Sequence, residues 1–372
     1  MAQINWQIKK LGDVLKLEYG KPLHKSKRKF DGLYPVYGAN GEKGRSDEFY
    51  FDKPSIIVGR KGSAGEINLT EGKFWPLDVT YYVTFDDNKC DLKFIYNLLL
   101  TLELPKMAKG VKPGINRNEV YAIDVKIPPL PEQRRIVKIL NEIFEKAAKA
   151  KENAEKNLQN AKELFESYLQ SVFTQPGKDW EESQMDELCE VEYGYTKKAK
   201  SKGDYRYVRI TDTDENGLLT DENKMYIDSF DDVDKYILAN DDLLMARTGA
   251  SAGDVLLFQG AEKAVFASYL IRIKLKKEIL SKLYWYYAKS KLYWDQVRQL
   301  SAGSAQPQFN GGALKQIVFP FPKSISKQES IVLKLDSLSI ETKRLEATYK
   351  QKLTALEELK KSVLKRAFNG EL

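Results

Sequence analysis

Residues suited to meeting an anion occur in this chain in pairs, one set in each half. Glu18-Tyr19-Gly20 leads into a basic run holding Lys21, Lys25, Lys27, Arg28 and Lys29. Glu192-Tyr193-Gly194 leads into another, with Lys197, Lys198, Lys200 and Lys202. Loops of this kind make sequence-independent contacts with phosphates; a solvated charged loop is the alternative. Arg60-Lys61 and Arg247-Thr248 each open a turn rich in small residues, GRKGSAG and ARTGASAG. A glycine turn lets backbone approach a duplex, and arginine pairs bidentately with guanine O6 and N7. A turn shared only because the two halves share a fold would leave the same trace, but Lys61 and Thr248 differ, as two different targets require. Lys112 lies in GVKPGIN (110–116) with Arg117 directly after it, and Gln306, Gln308 and Asn310 lie in GSAQPQFN (303–310). Glutamine and asparagine can pair with adenine N6 and N7, although the alignment of Asn116 with Asn310 and of Pro113 with Pro307 reads as a common turn. Arg209, in a strand-like run with Arg206, is a further contact candidate. The cluster of Tyr284, Trp285, Tyr286, Tyr287, Tyr293 and Trp294 could stack bases, yet its place on an expected helix reads as core.

Other chemistries lack their residues. His24 is the one histidine, and Cys90 and Cys189 stand about a hundred residues apart. Neither a thiol or histidine metal site nor histidine acid–base catalysis fits. No G-x-x-x-x-G-K-[ST] phosphate loop is present. No Asn-Pro-Pro-aromatic or Asp-Pro-Pro-aromatic segment exists to hold an adenine, and no Pro-Asp followed by acid-x-Lys. The reading is a chain with no catalytic residues and no metal. Its 60 basic and 53 acidic residues give a net charge of +7, compatible with a nucleic-acid partner. No apolar run approaches the ~20 residues of a membrane span, and the N-terminus has no signal-like apolar region. A cytoplasmic protein with no membrane partner is expected.

The elements that hold these residues are written twice. Trp6 to Gly20 recurs as Trp180 to Gly194 at an offset of 174 residues. IIVGRKGSAGEI (56–67) answers LLMARTGASAGDV (243–255), and IPPLPEQRRIV (127–137) answers FPFPKSISKQESIV (319–332). From Gln133 and Gln328 the copies run without a gap at an offset of 195. Each copy begins with short β-branched and aromatic runs broken by glycine and asparagine, so α+β describes it. Each ends in a long helix from Gln133 to Phe173 or Gln328 to Phe368, with a seam at spacings of three and four. The first seam includes Ile136, Leu140, Ile143, Ala147, Ala150, Ala154, Asn157, Ala161, Leu164 and Tyr168. The second includes Ile331, Leu335, Leu338, Thr342, Leu345, Tyr349, Lys352, Leu356, Leu359 and Val363. Asn157 and Lys352 would form a polar layer in the seam, or a solvated stretch.

The division expected is 1–130 as a first recognition domain, 131–175 as a long helix, 176–325 as a second domain and 326–372 as a second helix. The short link after Phe173 makes the helices an antiparallel coiled coil. The fold class is therefore α+β, with two α/β domains in pseudo-two-fold arrangement, joined and separated by that coiled coil. Two diverged modules on a stiff strut suit a bipartite, non-palindromic duplex with an unread spacer. A coiled-coil scaffold binding proteins at its two end domains is the rival; it predicts no sequence-dependent DNA binding at any salt concentration.

The chain resembles the specificity subunit of type I restriction–modification enzymes. LEYGK and VEYG after an upstream Trp, YPVYGANG (34–41), YVRITD (207–212), GRKGSAG, ARTGASAG, GSAQPQFN, IPPLPEQRRIV and the terminal LKKSVLKRAFNGEL carry the resemblance, which spans essentially the whole sequence. The second copy departs with PKSISKQES where PLPEQ-like residues are expected. The resemblance implies a non-catalytic subunit that reads split double-stranded DNA and recruits two modification subunits. Those partners would hold S-adenosylmethionine and methylate adenine, this chain binding no cofactor itself. In the full enzyme two restriction subunits join.

Overall fold

The computed structural model describes residues 6–214, 217–301 and 308–372. They form two compact units that do not follow chain order, Met1–Glu155 with Lys350–Leu372, and Lys156–Tyr349.

The first unit comprises β1 (Gln7–Lys10), α1 (Leu11–Val14), β2 (Leu15–Tyr19), β3 (Tyr34–Gly38), β4 (Gly41–Ser46), β5 (Ile56–Gly59), β6 (Ile67–Leu69), β7 (Trp75–Pro76), β8 (Thr80–Phe85), α2 (Leu92–Thr101), α3 (Arg117–Tyr121) and β9 (Asp124–Ile127). The helix α4 (Leu130–Thr174) begins here. A four-stranded sheet runs β2-β8-β5-β6 and a three-stranded one β4-β3-β7. Strand β2 alternates, with Leu15 and Leu17 buried and Lys16 exposed, as a half-buried strand must. Its inward leucines join Ile56, Val58, Val83 and Phe94 in a core closed by Ile136 and Leu140 of α4.

The second unit comprises β10 (Trp180–Gln184), α5 (Met185–Leu188), β11 (Cys189–Tyr193), β12 (Tyr205–Val208), β13 (Tyr226–Ile227), β14 (Leu243–Ala246), β15 (Val255–Leu257), β16 (Ala264–Phe266), β17 (Leu270–Leu275), α6 (Ser281–Tyr287), α7 (Lys291–Leu300), α8 (Gly311–Lys315) and β18 (Val318–Pro322). The helix α9 (Ile325–Asn369) follows. Its sheets run β11-β17-β14-β15 and β13-β12-β16, strand for strand the order of the first unit. Each three-stranded sheet contains one parallel pair, β3 with β7 and β12 with β16. The duplication is thus one of topology. A clear departure is α7, where the first unit has a 3-10 turn at Leu104–Met107. Tyr284, Tyr287 and Tyr293 are wholly enclosed beside it. The aromatic cluster therefore serves as core.

The helices α4 and α9 are each 45 residues long and start 195 residues apart, Leu130 against Ile325. One buried glutamine fixes each start. Gln133 accepts from the Asp91 N–H at 2.9 Å and donates to the Lys89 and Pro128 carbonyls, both at 2.9 Å. Gln328 accepts from the Leu280 N–H at 2.9 Å and donates to the Glu278 and Pro322 carbonyls at 2.8 and 2.9 Å. The divergent PKSISKQES segment keeps this glutamine and changes what surrounds it. At the far end of α9, Gly370 takes φ +83°, and the Glu371 N–H returns to the Arg366 carbonyl at 3.0 Å, a glycine stop.

The heptad seam needs correction in its second half. Leu140, Ala147, Ala154 and Ala161 are buried at strict spacings of seven. Asn157, Leu164, Lys352 and Leu359 are exposed, however, while Leu158 and Leu353 are half-buried in their stead. Beyond Ala161 the inward residues are Phe165, Leu169 and Phe173. A straight helix drifts about 20° per heptad from a 3.5-residue repeat, enough to move the inward face by one position over three or four heptads. Asn157 and Lys352 are solvated and form no polar layer.

Candidate nucleic-acid interface

In each unit the glycine after the EY pair is dictated by close approach. A Cβ on Gly20 would lie 2.1 Å from the Leu77 carbonyl oxygen, and one on Gly194 would lie 2.2 Å from that of Ala267. The backbone is pinned there, which sets the preceding tyrosine at the corner of the sheet. Tyr19 and Tyr193 are both nearly half exposed.

An arginine from the glycine turn lies on that tyrosine in both units. The Arg60 guanidinium is 5.2 Å from the centre of the Tyr19 ring, and Arg117 lies 4.8 Å from the same ring. In the second unit Arg247 is 5.5 Å from Tyr193 and 5.9 Å from Tyr269. Backbone bonds hold each turn against the loop that follows. The Ile115 N–H donates to the Arg60 carbonyl at 3.1 Å, and the Phe309 N–H to that of Arg247 at 3.0 Å. Lys61 bridges to Gly114 and Thr248 to Gln308. The fold thus gathers Arg60, Lys61, Lys112 and Arg117 in one unit, and Arg247, Thr248 and Gln308 in the other. Gln306 lies outside the described residues, as does Pro307. Gly62 and Gly249 share φ +81° with nothing within 4 Å of an added Cβ, so both turns present open backbone.

The electrostatics separate these arginines from most others. Arg206, Arg209 and Arg272 are bonded to carboxylates. Among the described residues Arg60, Arg117 and Arg247 have no side-chain hydrogen bond or ion pair, a property shared with Arg134 on α4. The Nε of Arg247 is enclosed without an acceptor. Burial pushes the Tyr81 hydroxyl up to about 12, Tyr19 adding to the effect, while Arg60 and Arg117 pull it down. Both guanidiniums thus lie close enough to act on the Tyr19–Tyr81 pair.

The basic loops are different. Lys27 pairs with Glu48 at 2.7 Å and Lys29 with Asp47 at 2.5 Å; the hydrogen bond from Lys29 holds the Asp47 carboxyl below its ordinary value. Arg28 turns inward, donating twice to the Leu23 carbonyl. In the second unit Lys200 pairs with Asp228, and Lys197 donates to the Asp228 carbonyl at 3.0 Å. Arg209 is bound to Asp212 at 2.6 Å and to the Asn223 carbonyl at 3.0 Å. Lys21, 4.8 Å from the Tyr50 ring, joins Lys25 and Lys198 as cations of these loops that no acid neutralises among the described residues. Asn116 and Asn310 cap α3 and α8, accepting from Asn118 and Ala313 at 2.9 and 3.0 Å, which is their structural role. Reading by residue type overlooked the two tyrosines, although their recurrence in EYG was the available signal.

Two copies of one fold thus each set an unneutralised guanidinium beside an open glycine turn. The family profile described as the type I restriction modification DNA specificity domain matches residues 3–159 and 177–355, and the chain belongs to that family. It is similar to the type I restriction enzyme MjaVIII specificity subunit of Methanocaldococcus jannaschii, 26% identical over 416 residues, covering 99% of this chain and 93% of the relative. It is also similar to the StySPI specificity subunit of Salmonella potsdam, 28% identical over 174 residues, covering 44% of this chain and 37% of that one. The solved HsdS subunit from Thermoanaerobacter tengcongensis shares the fold at a TM-score of 0.66 and 17% identity, over 99% of this chain and 97% of that one. A chain from work on complex assembly and conformational transition of the type I R-M system does so at 0.76 and 16%, over the full length of both. The chain is accordingly a DNA-specificity component of a restriction–modification system, a reader and not the catalyst. DNA and the other subunits of such a system are its partners.

Proposed function

We propose that the two units read the two unequal halves of a bipartite, asymmetric duplex, with α4 and α9 setting the length of an unread spacer. The observation that carries this reading is the recurring arginine on a tyrosine face, followed by residues that differ between the units: Lys61 against Thr248, and Arg117 against Gly311. A shared frame with altered contacts is what two different half-sites need. Lys61, Lys112, Arg117, Thr248 and Gln308 are the residues proposed to differ in base readout. Lys21, Lys25 and Lys198 are proposed for phosphates. Lys27, Arg28, Lys197 and Arg209 shape the loops that carry those contacts.

The same reading keeps the division into 1–130, 131–175, 176–325 and 326–372, and has the chain recruit two modification subunits and, in the full enzyme, two restriction subunits. S-adenosylmethionine would reside on the modification subunits, with no cofactor on this chain, and the complex would act in the cytoplasm. Among the described residues no helix is long and apolar enough to cross a membrane. Leu333 and Ile340, one heptad apart on α9 and both about two-thirds exposed, offer a modification subunit an apolar stripe.

Deleting the gene in its source organism and mapping N6-methyladenine across the genome tests the proposal. Loss of methylation at one bipartite, asymmetric motif is expected. Unchanged methylation, with the modification subunits shown to be expressed and active, would contradict it.

A further inference from the structure

Unlike Lys27, Lys29 and Lys200, which pair with acids, Arg60, Arg117 and Arg247 are held by no carboxylate and no carbonyl among the described residues. What orients Arg60 and Arg117 is the Tyr19 ring, and what orients Arg247 is the Tyr193 ring with Tyr269 beside it. A guanidinium lying over an aromatic ring is attracted by the ring quadrupole while its edge donors stay available. The units also differ in how many cations the ring carries. The position that is Arg117 after Asn116 is Gly311 after Asn310, and the Gly311 N–H instead donates to the Tyr193 hydroxyl at 3.2 Å. A Cβ at Gly311 would sit 3.0 Å from that hydroxyl, so the second platform is closed to a second side chain as it stands.

We propose that Tyr19 and Tyr193 are positioning residues for DNA reading, Tyr19 presenting a pair of guanidiniums to one half-site and Tyr193 a single one to the other. This rests on the reading of the chain as a DNA-specificity subunit. The tyrosines touch no base themselves; they fix the direction in which the arginine edges point. Loss of a ring therefore leaves the charge in place and removes its aim. Losing Arg117 removes a charge that the second unit does not have.

The test uses the full chain assembled with its modification subunits and a randomised duplex library, selected and sequenced at several salt concentrations. Tyr19→Leu is expected to lower base preference in one half of the selected motif by about two- to fivefold, the range of a cation–ring contact at an exposed site. Preference in the other half and the salt dependence should stay unchanged. Tyr19→Phe, which keeps the ring, should restore the parental motif. Tyr193→Phe should restore it less fully, because the Gly311 N–H loses its acceptor. Arg117→Ala should relax base preference in the same half of the motif as Tyr19→Leu and leave the other half as in the parent. Parental preference in Tyr19→Leu, or equal damage in Tyr19→Phe, would overturn the inference; thermal melting checks that each variant is folded. If Arg60→Ala and Arg247→Ala lose base preference while the tyrosine variants do not, only this inference fails. If none of these variants alters the motif, the placement of the DNA face at these turns fails with it.

Discussion

A buried amide side chain has four hydrogen-bonding positions to satisfy, and Gln133 and Gln328 each have three satisfied in the same pattern. Both lie fully inside, so removing the amide strands one backbone N–H and two carbonyls away from water. Gln133→Leu and Gln328→Leu are each expected to destabilise the chain by about 2–3 kcal/mol, measurable as a lower midpoint of chemical unfolding. A loss near zero for either would show that its three bonds are replaced by solvent. Lys289 offers a pH test. Its ammonium lies 3.1 Å from the centre of the Trp285 ring, facing Lys282, Lys343, Asp214 and Asp336. Burial, reinforced by Lys343, pushes its pKa down to about 7 against the opposing pull of the two aspartates. Between that value and the 10.5 of an ordinary lysine, the unfolded chain binds a proton that the folded chain does not. Stability from this group therefore rises with pH across that window and is at its lowest below pH 7. Relative to Lys289→Met, the parent should gain up to about 1.4 kcal/mol per pH unit between pH 7 and 9.5. Parallel stability curves for the two proteins would refute this.

At the scale of elements, α4 and α9 serve two purposes at once. Their inward residues close the cores of the units, Ile136 and Leu140 in one and Leu169, Phe173, Val332 and Leu335 in the other. Their outward faces are mostly Lys and Glu, and Leu333 and Ile340 are the most exposed of the apolar exceptions, which also include Leu164 and Leu359. Replacing Leu333 and Ile340 by Asp should leave the melting temperature of the isolated chain within a degree or two, since exposed substitutions are near neutral. The same pair should weaken co-purification with the modification subunit at least tenfold. Undiminished co-purification would place the docking surface elsewhere. The helices were legible in the sequence because a 3.5-residue pattern sustained over forty residues has few other causes, and because both copies carry it at one offset. The exact seam was not legible: whether a helix supercoils or runs straight depends on the partner face, and Leu158 in place of Asn157 records that choice. The candidate contacts were legible by type and place, since phosphate and base chemistry select Lys, Arg, Gln and Asn. Which of them are free was not. Arg28 and Arg209 look like Arg60 in sequence, and only three-dimensional neighbours show that Leu23 and Asp212 already occupy them. Tyr19 and Tyr193 escaped for a related reason: an aromatic next to a glycine signals a corner, and nothing local tells which cation will lie on it.

At the scale of the whole molecule, the repeat is the argument. One fold appears twice, with the same strand order in both of its sheets, and residues of the glycine turns and following loops have diverged while the frames have not. On the reading proposed above, covalent linkage of two unequal readers puts one of each in every molecule, which would make the target they define together asymmetric. A dimer of identical chains would instead impose a palindrome. Reading and chemistry are also separated: the chain supplies specificity, and the systems to which its family belongs act on the DNA through other subunits. Each half of the target should then be exchangeable without touching the other. The most direct measurement replaces residues 1–127 with the corresponding segment of another family member, assembles the hybrid with its partner subunits in cells, and maps N6-methyladenine. One half of the methylated motif should change while the other half stays as in the parent. A change in both halves, or in neither with the hybrid folded and assembled, would contradict the account.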